Sequence, residues 1–395
     1  MTLHAESVLG DELLARVRAR APGYDNGNLF FTEDLEELAA VGYLRALVPE
    51  SFGGLGLSLT QVAHAQVRLA MAAPATALAV NMHLVWTGVA KTLHDRGDDS
   101  LDFVLRDAAV GEIFAFAISE AGNDLVLFDS TTDARPLPDG GYAFTGTKIF
   151  TSLSPVWTRL GLFGLDTVSA DAPKLVHAVV TRDAPGITID EDWNTLGMRA
   201  SQSNTTHLDS VVATSDRVFR RLDPGPSRDE LIFAIFANFE ILIASVYLGI
   251  GQRALELAVE SAGARGSRRT GLARDQDPNV RWKIADAALA QDALLPQLDA
   301  LASDLDAGVD RGAQWFRALV GLKSRSTRTA RYVVDQAIAV AGGTAFSATS
   351  ELSRLYRDVL AGGFHPSNED SVHSTVATAL LGPIVEDLPP VRRLP

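Results

Sequence analysis

The chain has 395 residues, a net charge of −14 at neutral pH and no cysteine. The lack of cysteine excludes disulfides, thiolate metal sites, iron–sulfur clusters and a thiol nucleophile. The acidic balance argues against a general nucleic-acid binder, because phosphate binding needs a basic face, although Arg265, Arg268, Arg269 and Arg274 form a local basic cluster.

A hydrophobic content of 47% with 21% charged residues is ordinary for a globular protein with a sizeable core, and the length allows two or three domains or one large fused unit. The N-terminus has no basic region followed by an apolar core, so it does not read as a secretory signal. Residues 1 to about 110 read as helical, with a Pro- and Gly-rich connector from Leu47 to Gly56. Helical spacing resumes over Ser58 to Ala72, and Ala73 to Ala90 is a small-residue apolar segment suited to close helix packing.

The composition changes near Gly111. Strand-type runs follow at Ile113 to Ser119, Tyr142 to Phe150, Arg159 to Leu165, Leu175 to Thr181, Ile187 to Ile189 and Thr206 to Val212. Their spacing predicts a compact barrel or sandwich. After Asp223-Pro224-Gly225-Pro226 the chain is helical again. The predicted segments are Leu231 to Gly263, Asn279 to Ala307, Arg311 to Ala341, Ser350 to Val359 and Ser367 to Leu381. Leu231 to Ile250 is apolar enough to span a membrane, but Asn238 and Glu240 near its centre favour a buried bundle helix. The expectation is a cytoplasmic protein.

Gly249-Ile250-Gly251-Gln252-Arg253-Ala254 fits a dinucleotide fingerprint, yet it sits in a long helical run with no second strand, so small residues on a bundle helix are the better reading. The eight histidines lack ligand spacing, and no metal site is expected. Tyr142 to Ser152 ends in Phe150-Thr151-Ser152, an aromatic followed by two hydroxyls. That group suits a flat polar heterocycle: the ring can stack and the hydroxyls can hydrogen-bond its heteroatoms. The plain alternative is a hairpin strand with a core Phe. Ser119-Glu120-Ala121-Gly122-Asn123-Asp124 is a strand running into a polar loop, and Gly342-Gly343 follows a helix as a C-cap or as a place where backbone approaches a ligand.

In this order the segments resemble the acyl-CoA dehydrogenase superfamily of flavoproteins, over nearly the whole chain. The motifs are Val48 to Gly56, Ser119 to Asp124 (two residues shorter than the family's loop), Thr145 to Ser152, Leu196-Gly197-Met198-Arg199-Ala200-Ser201, Gly342-Gly343 and Arg357-Asp358. The resemblance implies an α+β multidomain fold. It would have an N-terminal helical domain (1–110), a central β-barrel domain (111–225) and a C-terminal four-helix bundle domain (226–395). It implies FAD, usually in a homotetramer, with a homodimer as the smaller assembly. Ser119, Thr151 and Ser152 would meet the flavin edge, and Phe150 would lie against the ring. Arg268 and Thr270 would reach the cofactor of a neighbouring subunit, and Gly342 and Gly343 would face the adenine end.

The resemblance fails at the catalytic base. The family's usual Glu lies nine residues after the Arg of the Arg-Asp pair, and that place holds Pro366. The alternative base position, on the first long helix of the third domain, aligns with Phe239. Its neighbour Glu240 is rotated by about 100° on a helix and is expected to point elsewhere. Glu369 and Asp370 remain candidates, although Ser367 capping the last helix would leave them in its first turn. His365 instead resembles the corresponding region of reduced-flavin monooxygenases on this fold, which hydroxylate an aromatic, a sulfur or an amine.

The expected function is therefore a flavin-dependent oxidoreductase of the superfamily, acting on an acyl-CoA-like substrate. A monooxygenase using reduced FMN or FAD from a partner reductase stands beside it. A flavin-containing nucleic-acid-binding protein without turnover is a third reading, against which the acidic chain weighs. The expected partners are a small-molecule substrate and an electron acceptor or flavin reductase.

Overall fold

A computed structural model describes residues 8–264, 266, 271 and 273–384. Helices come first: α1 (Asp11–Gly27), α2 (Thr32–Ala40), α3 (Leu59–Ala72), α4 (Pro74–Asp95) and α5 (Asp102–Ala109). Local chemistry sets their starts. Ser58 Oγ accepts from the Gln61 amide while the Gln61 side chain accepts from the Ser58 amide, a reciprocal cap that opens α3. Pro74 begins α4, where its missing N–H costs nothing.

Eight strands follow as one sheet: β1 (Phe114–Ala117), β2 (Asp133–Pro136), β3 (Tyr142–Lys148), β4 (Arg159–Asp166), β5 (Lys174–Thr181), β6 (Ile187–Ile189), β7 (Thr206–Ala213) and β8 (Val218–Leu222). The hydrogen-bonded path is β6-β7-β3-β2-β4-β5-β8, with β1 added beside β4. β1 and β2 run parallel to β4, and the other pairings are antiparallel. The predicted strands correspond to β1 and β3–β7. β2 and β8 are additional; β2 reads Asp-Ala-Arg-Pro and β8 carries Arg220 and Arg221, so neither has an apolar run to reveal it.

The third part holds α6 (Glu230–Gly263), α7 (Pro278–Asp292), α8 (Leu295–Asp306), α9 (Gln314–Ala341), α10 (Glu351–Val359) and α11 (Glu369–Leu381). The single helix expected over 279–307 is two. The chain turns after Asp292 and restarts at Leu295, with Pro296 in the first turn of α8, where a helix tolerates it.

α6 is the axis of the helical core. It packs along α9 and also against α3 and α4, so the first and third parts of the chain share one apolar core. It is long and apolar enough to cross a membrane, and 89% of its most apolar window is buried inside the protein. The two glycines of the fingerprint-like sequence serve this packing. A Cβ on Gly249 would sit 2.4 Å from the Val67 carbonyl oxygen of α3, and one on Gly251 would sit 2.4 Å from Gln291 Oε1 of α7. The small residues let neighbouring helices approach α6 closely.

Candidate functional site

At the end of β3 the chain leaves the sheet through Phe150, whose φ of 58° is left-handed. This turn carries the Phe150 ring out to solvent, 52% exposed, where Trp193 meets it edge-on at 6.1 Å. The residues around it are polar. Ser119 is half-buried at the end of the β1 extension, and its carbonyl accepts from the Ile149 amide at 2.9 Å. Thr151 is buried with its Oγ1 unpartnered. Ser152 Oγ bonds Ser203 Oγ at 2.7 Å, and Ser203 Oγ bonds Ser201 Oγ at 2.8 Å. A chain of three hydroxyls beside an exposed aromatic can both donate to and accept from a heterocycle edge. The residues present fit a flavin ring.

The segment from Leu196 to Ser203 ties this platform to the third part. A Cβ on Gly197 would lie 2.2 Å from the Arg357 carbonyl oxygen, so only glycine lets the segment touch α10 there. The Met198 amide donates to Asp358 Oδ1 at 2.6 Å. Burial raises the Asp358 pKa to about 6, and this backbone donor works against the rise. Next to it Arg357 clamps both carboxylate oxygens of Asp25 on α1 and donates to the Leu196 carbonyl at 3.0 Å. The Arg-Asp pair thus joins all three parts of the chain.

α10 runs into the loop that holds His365. Tyr247 of α6 is buried, and its hydroxyl lies 2.7 Å from His365 Nε2. Packing lowers the His365 pKa to about 3, and the Lys323 ammonium adds to the shift, so the ring is neutral at pH 7. Lys323 of α9 is buried and donates to the Ser367 carbonyl at 2.9 Å and the Gly362 carbonyl at 3.1 Å. Ser367 in turn donates its hydroxyl to Glu240 Oε1. Burial raises the Glu240 pKa to about 7, held from rising further by the Ser367 bond and Lys323.

The predicted residues therefore divide. Phe150, Thr151, Ser152 and Ser119 gather at the end of β3. Glu240 does point away from Phe239: Phe239 stacks on Phe116 at 5.9 Å, while Glu240 turns to the His365 loop. Glu369 and Asp370 are exposed in the first turn of α11, and no contact brings them to His365. The cap of that helix is Asn368, whose side chain accepts from the Ser371 amide at 3.0 Å, and not Ser367 as expected; the Ser367 hydroxyl is occupied by Glu240. Gly342 ends α9 with φ 67°, and a Cβ there would come 3.7 Å from an Arg274 guanidinium nitrogen; a Cβ on Gly343 would meet nothing within 4 Å. Arg268 and Thr270 lie outside the described residues.

Sequence reasoning missed Tyr247, Lys323 and Ser203, and it placed Ser201 in a motif without giving it a role. Lys323 had a signal: Leu319, Lys323, Ser326 and Ala330 share one helical stripe, so the charge falls on the buried face of α9. Tyr247 had none, since α6 is apolar on every side.

Helical parts before and after a central sheet, with an exposed aromatic and a hydroxyl chain at the end of β3, are the arrangement that the resemblance to the flavoproteins implies. The Acyl-CoA dehydrogenase, C-terminal domain family matches residues 241–369. L-evernosamine nitrososynthase of Micromonospora sp. is 32% identical over 358 residues, 89% of this chain and 84% of that protein. Isobutylamine N-hydroxylase of Streptomyces viridifaciens is 26% identical over 85% of this chain and 86% of its own. Among solved structures, a KijD3 in complex with FMN and dTDP-3-amino-2,3,6-trideoxy-4-keto-3-methyl-D-glucose superposes with a TM-score of 0.82 at 27% identity. That match covers 97% of this chain and 95% of the other. The chain belongs to the acyl-CoA dehydrogenase superfamily and is a flavin-dependent oxidoreductase.

Proposed function

We propose that the protein is a reduced-flavin-dependent monooxygenase that oxygenates the nitrogen of a small primary amine. The observation that carries this reading is the Tyr247–His365 hydrogen bond in the loop where a dehydrogenase needs a carboxylate. Removal of an α-proton requires a base facing the flavin. Near the loop, Asp358 is committed to the Met198 amide, Glu240 is buried and accepts from the Ser367 hydroxyl behind the loop, and Glu369 and Asp370 are exposed. Two relatives named for N-oxidation, the nitrososynthase and the N-hydroxylase, support the amine as substrate class.

When bound, reduced flavin supplies two electrons and, with O2, one oxygen atom, so that an amine becomes a hydroxylamine and the second oxygen leaves as water. The chain's own groups prepare the amine. An ammonium has no lone pair to attack with, so the nitrogen must be neutral. In this reading the uncharged His365 donates its Nε2–H to the Tyr247 hydroxyl, which fixes its orientation and leaves Nδ1 to accept from an N–H of the neutral amine. Ser119, Phe150, Thr151 and Ser152 hold the flavin ring in this reading. The open glycine pair Gly342-Gly343 faces the adenine end of FAD in this reading. The segments 1–110, 111–225 and 226–395 act as three domains, and the reduced flavin comes from a partner reductase.

The test supplies purified protein with enzymatically reduced FMN or FAD, O2 and a panel of primary amines that includes amino sugars. The expected product is heavier by one oxygen and reacts as a hydroxylamine. His365→Ala should reduce its formation on the order of 100-fold with flavin binding retained. Anaerobic bleaching of the bound flavin by an acyl-CoA, with no oxygenated amine, would establish a dehydrogenase instead.

A further inference from the structure

Three backbone carbonyls around His365 converge on one buried ammonium. Lys323 Nζ donates to the Gly362 oxygen at 3.1 Å and the Ser367 oxygen at 2.9 Å, and it lies 3.4 Å from the carbonyl of His365 itself. The side chain is 1% exposed. We infer that Lys323, with Glu240 beside it, is a positioning residue that fixes the loop carrying His365 against Tyr247.

The argument rests on where the charge is spent. A buried ammonium is costly unless hydrogen bonds or an opposite charge compensate it, so the groups that compensate it are held in place by it. Among the described residues Lys323 makes no ion pair with a carboxylate, and its hydrogen bonds go to the loop. Glu240 reaches the same loop by another route, through the Ser367 hydroxyl, and its second oxygen is buried without a partner. Ser367 is thereby held twice, at its carbonyl by α9 and at its hydroxyl by α6. Its φ of 57° is a left-handed conformation that a serine rarely adopts, and two anchors on one residue are what keep it there. Gly362, on the other side of His365, is held by the same ammonium. With both flanks fixed to rigid helices, the imidazole is delivered to the Tyr247 hydroxyl at 2.7 Å.

Two measurements test this. Hydrogen exchange of the amides from 360 to 368 follows the loop without a substrate. In Lys323→Met, exchange should rise at least tenfold in this segment and stay unchanged in the sheet and in α6; Glu240→Gln, which keeps an acceptor for Ser367, should change it less. The kinetic arm rests on the amine-oxygenation reading. There, Lys323→Met should lower kcat at least tenfold, with the amine KM and flavin binding unchanged. Combined with His365→Ala it should add no further loss, because both act through the same ring.

Unchanged loop exchange would overturn the inference, as would exchange raised equally throughout the chain or losses that multiply in the double variant. If Lys323→Met alone does not fold, the neutral pair Lys323→Met with Glu240→Gln carries the same exchange test. If no amine is oxygenated, the functional reading fails while the exchange result still decides the role of Lys323.

Discussion

Glu120 is the residue around which the loop after β1 is wound. Its carboxylate accepts from Ser130 Oγ, the Thr131 amide, Thr132 Oγ1 and Lys148 Nζ, at 2.5 to 2.7 Å. Burial alone would raise its pKa, but Lys148 and these donors hold it at about 2. The pair lies close in the chain to the Phe150 turn, since Lys148 is two residues before Phe150. Glu120→Met would leave the Lys148 ammonium buried with the Phe163 carbonyl as its remaining hydrogen-bond acceptor. The expected cost is roughly 3–5 kcal/mol, read as a lower urea midpoint with an unchanged slope. Phe150 gives the complementary test. The ring is exposed and supports little of the core, so Phe150→Ala should leave the urea midpoint in place and weaken flavin retention or alter the bound spectrum. Retention and spectrum equal to wild type would remove the ring from the flavin site.

Among the elements, α4 and β1 are joined by a histidine that must stay neutral. His83 Nε2 lies 2.6 Å from the Leu44 carbonyl, and the Phe114 amide donates to Nδ1 at 3.0 Å. One ring nitrogen therefore donates and the other accepts, a pattern that protonation destroys. Burial lowers the His83 pKa to about 4, against 6.5 in the unfolded chain. The unfolded state then binds more protons between those values, so the contribution is full above pH 6.5 and is lost as pH falls toward 4. The loss is on the order of 3 kcal/mol. Melting temperature against pH should fall across that window, and His83→Gln should flatten the fall while lowering the plateau. An unchanged slope would show that other groups set the acid limit. The elements themselves were legible where one rule dominated: β4 and β5 as apolar strand runs, α3 by its helical spacing. They were illegible where tertiary pairing overrides local preference, as in charged β8, or where one turn divides an otherwise helical run, as before Pro296.

At the scale of the whole molecule, the α–β–α order could be read from composition, but the contacts that assemble the site could not. Tyr247 and His365 are 118 residues apart, Met198 and Asp358 160, and Asp25 and Arg357 332. No local pattern encodes which of many buried polar residues meet across such distances; the Arg-Asp pair was visible only through resemblance. The same scale leaves one surface to explain. Trp282 and Leu289 of α7 are 76% and 73% exposed and lie seven residues apart, two turns along one face of the helix. Two large apolar side chains side by side in water are what an association surface offers. The chain is therefore expected to sediment as a dimer or tetramer, and Trp282→Glu with Leu289→Glu should shift it to a monomer while its circular dichroism is kept. Flavin retention should fall in that variant if a neighbouring subunit contributes to the cofactor, and should hold if each chain binds it alone. A wild-type protein that sediments as a monomer at micromolar concentration would leave the face of α7 without a role in assembly.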